Sequence, residues 1–332
     1  MSKFISRLLL SGAIALSLTS AALAQAKKTL IVAEPVHSIG YLPLYVAIAK
    51  GYFAEAGLDV KVMTVESGSG HTNAVLTGQA FAFIGGPEHN AFAKIKGAEL
   101  RGVVNVVDRG NIYLTAAKGK EPKAGESMAA YFKGKTIATG LFGGTPNSIT
   151  RYLVRQMGLD ARSDVVLQEV PNSAVLPAVK TNAAQIGVTT EPFLTQGIKQ
   201  GIWGEPFMNI PKELGPYAYS TLNIRLGSIQ KEPETVRAFV EGVMKGLRFT
   251  YAQREEAVLI AKKEFPTMSP DDLMATLDRS FKDEIWSKDG LISTKSWDTG
   301  SSVVLSAGIL KQPVAYDQII DMQFVTAASK TN

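Results

Sequence analysis

From Thr29 onward, short apolar, β-rich runs alternate with helical stretches that stop at glycine. Residues 30–33 read as a strand, 42–50 as a helix, and Gly51 as its stop. The pattern then repeats with a strand over 60–65, a helix over 71–76, a strand over 81–84, a helix over 87–96 and a strand over 100–107. Strands followed by helices at this rhythm predict an α/β fold, and near-continuous apolar strands suit a parallel sheet covered on both faces.

A weak internal echo divides the chain. Gly57-Leu58-Asp59, Asn73-Ala74-Val75-Leu76 and Pro87-Glu88 are answered by Gly158-Leu159-Asp160, Ser173-Ala174-Val175-Leu176 and Glu191-Pro192. The spacing of about a hundred residues exceeds any solenoid period, so it predicts two lobes of one build. Extended runs at 111–115 and 218–224 would carry the chain across and back. The expected boundaries are a first lobe from 25–112 and 221–332 and a second from 113–220. After Pro233, apolar residues at Val236, Phe239, Val240, Val243, Met244 and Leu247 form one helical face. Ser269-Pro270-Asp271-Asp272 has a capping serine, an early proline and first-turn acids, so it predicts a helix start. The helical C-terminal third reads as cladding.

The first residues change the picture only as an address. Lys3 and Arg7 precede an apolar run over 8–18 and a small-residue site at Ala22-Leu23-Ala24, so residues 1–24 are expected to be an export signal cleaved after Ala24. The apolar run is about half the length that crosses a bilayer. Removing residues 1–24, with Lys3 and Arg7, lowers the formal charge from +5 to +3. Charges of both signs are scattered, with no basic face, so a nucleic-acid partner is not expected. The chain has no cysteine, which excludes a thiol nucleophile, a lipid-bearing N-terminal cysteine and the usual structural zinc site.

In open α/β sheets, ligands sit beyond the carboxyl ends of the strands. Six joints stand there: 37–41, 67–72, 85–89, 143–148, 172–173 and 189–192. They are rich in Gly, Ser and Thr, which allow close backbone approach and adaptable hydrogen bonds, while helix starts favour a negative group. Plain helix capping by Thr145 and Asn147 is the competing account. The Ser67–Thr72 stretch lacks the lysine of a phosphate-binding loop. His37, His71 and His89 all fall in first-lobe joints, at spacings that suit no metal site. Glu34, Glu88 and Glu191 sit at strand ends with no arginine in the same joints, which fits either a ligand with a donor or cationic end or simple neutralisation of helix starts. Tyr41, Phe193, Tyr217 and Tyr219 offer aromatic walls, with core packing as the alternative.

The run Gly40-Tyr41-Leu42-Pro43-Leu44-Tyr45-Val46-Ala47, with Lys50-Gly51-Tyr52-Phe53, Gly57-Leu58-Asp59-Val60, Gly143-Gly144-Thr145-Pro146 and Thr190-Glu191-Pro192-Phe193, resembles the substrate-binding proteins of nitrate, sulfonate, taurine and thiamine-pyrimidine-precursor importers. The resemblance implies a two-lobed periplasmic binding protein fold with two crossover strands and a ligand cleft between the lobes. It further implies closing by hinge bending, with an ABC permease and its ATPase as partners. Without a lipid-bearing cysteine the exported protein is expected to diffuse freely in the periplasm, as a monomer and with no cofactor. By that resemblance the pocket is lined by Ser38, Ile39, Gly40, Tyr41, Gly70, His71, Gly86, Glu88, Gly144, Thr145, Asn172 and Glu191, with Tyr219 as an aromatic wall. The expected ligand is a small organic anion or zwitterion, such as a sulfonate, a taurine-like compound or an aromatic carboxylate. A pyrimidine-type ligand is the alternative. An enzyme of pyrimidine-precursor synthesis on the same fold is a further one, against which the missing cysteines and the export signal argue. No nucleophile elbow supports a serine hydrolase.

Overall fold

A computed structural model describes residues 26–330; the leader expected at residues 1–24 lies outside them. Chain order begins β1 (Lys28–Glu34), α1 (Leu42–Ala49), β2 (Leu58–Thr64), α2 (Gly70–Leu76), β3 (Ala82–Gly85), α3 (Glu88–Lys94) and β4 (Leu100–Arg109). A second set follows: β5 (Tyr113–Ala116), α4 (Met128–Phe132), β6 (Thr136–Thr139), α5 (Thr145–Gln156), β7 (Val166–Glu169), α6 (Asn172–Lys180), β8 (Ile186–Thr189), α7 (Phe193–Lys199), β9 (Met208–Asn209) and α8 (Ile210–Leu214). The chain then enters β10 (Pro216–Arg225) and finishes in α9 (Leu226–Lys231), α10 (Pro233–Ala252), α11 (Arg254–Glu264), α12 (Pro270–Lys282), α13 (Thr294–Ser306) and α14 (Gln323–Lys330).

These strands form two five-stranded sheets, ordered β2-β1-β3-β10-β4 and β7-β6-β8-β5-β9. The sheets are mixed, which corrects the parallel expectation. β10 lies antiparallel between β3 and β4, and β5 lies antiparallel to β8 and β9. Each is the strand that arrives from the other lobe, so it runs against its neighbours. β10 already pairs with β4 at Pro216, opposite Arg109, which puts the return passage before residue 216.

The echo seen along the chain is an echo in space. Gly57 and Gly158 both adopt left-handed φ, +74° and +75°, where a side chain would be strained, and each stops a helical turn ahead of an edge strand. Asn73–Leu76 and Ser173–Leu176 lie in the corresponding helices α2 and α6. Pro87-Glu88 and Glu191-Pro192 introduce α3 and α7.

The apolar face of α10 is buried as its spacing predicts, with Val236, Phe239, Val240, Val243, Met244 and Leu247 all in the core. Burying each such side chain stabilises the fold by about 2 kcal/mol before entropy is counted. Ser269 caps α12, its Oγ accepting from the Asp272 N–H at 3.1 Å. The C-terminal helices are more than cladding. α10 packs on α1, while α13 packs on both β10 and α5, and α12 on α7. Arg155 of α5 also donates to the Ser306 carbonyl at 2.9 Å. One strap of helices therefore holds elements of both lobes.

Candidate ligand cleft

Between the two sheets lies a cavity of about 100 Å³, reached by joints from both lobes. The first lobe contributes Pro35, Val36, Tyr41, the 66–68 turn, His71 and His89, and β10 adds Tyr219 and Ser220. The second contributes Gly140, Leu141, Gly144, Thr145, Pro146, Asn172 and Thr190. The arrangement follows from the topology: every one of these joints except the β10 segment stands at a strand's carboxyl end, before a helix.

The lobes meet over this cavity. A Cβ on Gly68 would lie 1.9 Å from the Phe142 carbonyl oxygen, so only glycine permits this approach of main chain to main chain. Below the rim, Thr145 Oγ1 donates to Glu88 Oε1 at 2.5 Å. Ser38 Oγ donates to the Glu191 carbonyl at 3.3 Å.

Of the expected site residues, the structure brings Tyr41, His71, Gly144, Thr145, Asn172 and Tyr219 to the cavity wall. The others stand behind it. Ile39 is core, and Gly40 gives its carbonyl to Trp286 Nε1 at 3.0 Å. Ser38 caps the turn at Gly40 with its hydroxyl, and the Gly70 N–H is taken by Ser67 Oγ. Gly86 lies against the Glu88 carboxyl. Glu88 itself is buried behind Thr145, and burial pushes its carboxyl up to about 7 against the opposing hydrogen bond from Thr145.

Glu191 is committed internally. Its carboxylate accepts from the Thr195 N–H at 3.0 Å, Thr195 Oγ1 at 2.8 Å and Arg279 Nε at 3.1 Å. The compensating arginine absent from the joints arrives from α12. Glu34 is likewise occupied, accepting from Tyr45 at 2.5 Å and Thr64 at 2.7 Å and pairing with His37 at 3.0 Å.

His71 is the polar side chain without a protein partner on this wall. It is buried, and neither ring nitrogen has a hydrogen-bond partner among the described residues. Burial, helped by the neighbouring His89 and only weakly opposed by the nearby Ser67 main chain, which falls short of full hydrogen-bond geometry, holds its pKa well below the ordinary value, so the ring is neutral, with one donor and one acceptor. His89 packs edge-on at 4.7 Å and is lowered to about 4 by burial. Among the lining residues Glu66 is an acid, and there is no lysine or arginine. Sequence reasoning missed Pro35, Val36, Leu141 and Ser220; the first three are apolar and carry no chemical signal, and Ser220 sits mid-strand in β10.

Known proteins share both sequence and fold with this chain. YtlA of Bacillus subtilis is 27% identical over 298 residues, 88% of this chain and 87% of that protein. The riboflavin-binding protein RibY of Chloroflexus aurantiacus is 26% identical over 311 residues, 89% of this chain and 85% of its own. The alkanesulfonate-binding protein SsuA of Xanthomonas axonopodis, solved with bound MOPS, superposes with a TM-score of 0.72 at 13% identity, over 90% of this chain and 98% of that one. Among the described residues no helix is long and apolar enough to cross a membrane. The sequence model described as NMT1/THI5 like matches residues 38–257, and with two mixed sheets in the periplasmic-binding-protein arrangement the chain belongs to that family.

Proposed function

We propose that the protein is the periplasmic solute-binding component of an ABC importer, capturing a small molecule by closure of two lobes and presenting the closed form to a permease and its ATPase. The role is capture without turnover, and the protein acts as a monomer. The similarity to named binding proteins supports the role, and the cavity walled by both lobes supports the mode of capture.

For the ligand, the observation that carries the reading is a wall with neutral His71, acidic Glu66 and no lysine or arginine. A sulfonate or nitrate would find helix starts, at Gly144 and Thr145 of α5 and at Asn172 of α6, but no countercharge. A planar, uncharged or weakly basic heteroaromatic solute fits better, meeting a neutral imidazole with which one hydrogen bond can form while Tyr41 and Tyr219 border its body. The anion expected from helix starts and resemblance is the second reading, which the N-terminus of α5 favours.

A thermal-shift panel of aminopyrimidines, riboflavin, aliphatic sulfonates, aromatic carboxylates and nitrate tests both. A ligand at 100 times its Kd stabilises by about 2.7 kcal/mol. The expected outcome is a shift with a heteroaromatic base that His71→Ala removes. A shift with sulfonate or nitrate alone would transfer the reading to the anion, and silence from every class would count against capture itself.

A further inference from the structure

Glu88 is unusual within the cleft because it joins the lobes without a charge partner. It opens α3 of the first lobe, and its Oε1 accepts from Thr145 Oγ1, the first residue of α5 in the second lobe, at 2.5 Å. The carboxyl is buried, and its Oε2 has no hydrogen-bond partner among the described residues. The titratable groups facing it from β10 are the phenols of Tyr217 and Tyr219, both raised well above their ordinary value by burial and hence neutral. No lysine, arginine or histidine forms an ion pair with it among the described residues.

A bare carboxylate in such a place is costly, whereas a neutral acid keeps the hydrogen bond from Thr145. Separating the lobes removes Thr145 and admits water, which favours the ion. We propose that Glu88 and Thr145 form a proton-dependent latch across the cleft: closing takes one proton from solvent onto the Glu88 carboxyl, and opening returns it.

The direction follows from linkage. With the buried carboxyl near 7 and an ordinary glutamate at 4.5, the closed form binds the proton more tightly. Closure therefore gains up to about tenfold per pH unit as pH falls from 7 towards 4.5, and levels off above 7.

The inference rests on the cleft being one that closes, and its test needs no solute. The chain lacks cysteine, so Lys61→Cys on the first lobe and Lys133→Cys on the second, both exposed, can carry a dye pair. Transfer efficiency is then read from pH 5 to 8.5. The expected result is a change from near to far as pH rises from 5 towards 7, with no further change above it, which Glu88→Gln abolishes by staying near. Thr145→Val, the second variant if Glu88→Gln does not fold, should shift the transition to lower pH. A dye distance that ignores pH, or a transition unchanged in the variants, overturns the latch. Either outcome leaves the capture reading standing, and a silent solute panel would leave the latch standing.

Discussion

Glu88 and Glu191 occupy matching joints of the two lobes and have opposite fates. Both are buried carboxylates next to a proline at the start of the third helical unit. Glu191 receives Arg279 from α12 and Thr195 from its own helix, and so becomes a fixed anion that pins the second lobe to the C-terminal strap. Its pKa is still raised, burial outweighing those partners. Glu88 receives only a threonine hydroxyl from the opposite lobe. The same residue in a duplicated frame serves rigidity where a cation reaches it and mobility where none does.

The largest effect that would break this contrast is at Arg279. Arg279→Ala leaves the Glu191 carboxylate buried and unpaired, and should lower unfolding free energy by about 3–5 kcal/mol in urea at pH 8. The loss should shrink as pH falls, because protonating Glu191 removes the need for a countercharge; a loss that does not vary with pH would show that packing, not charge, is what Arg279 supplies. Glu88→Gln should act in reverse. A carboxyl raised to about 7 in the closed form supports that form fully below 4.5 and loses that support as pH rises through 7, so in protein held closed by bound solute removing its charge should gain up to about 3 kcal/mol at pH 8 and nothing at pH 4.5. No gain at pH 8 would mean the folded protein keeps the Glu88 carboxylate solvated. Smaller effects separate the two threonines. Thr195→Val, which removes a bond to a charged group, should cost about 2 kcal/mol, and Thr145→Val, a bond to a neutral acid, about 1 kcal/mol at pH 5. Equal costs in unfolding would erase the distinction between anion and acid.

Much of the scaffold was legible because its causes are local. The alternation of apolar runs and glycine-stopped helices marked β1 to β4, the spacing from Val236 to Leu247 marked α10, and Ser269 with Pro270 marked the start of α12. Antiparallel β10 was not legible, since its apolar content says it is buried but not which way it runs. The site was half legible. Residues at strand ends can be found from the sequence, and Tyr41, His71, Thr145 and Asn172 were. Their partners arrive from far along the chain: Arg279 lies 88 positions after Glu191, and Thr145 lies 57 after Glu88. Whether a joint residue faces the cavity or a distant countercharge is decided by that long-range packing, and no local pattern records it.

The contact of Gly68 with the Phe142 carbonyl divides the work of the cleft. Because the rim touches main chain to main chain there, that contact is indifferent to which side chains line the cavity beneath it. A substitution in the wall away from Gly68, Glu88 and Thr145 is therefore expected to change which solute fits before it changes how the lobes meet.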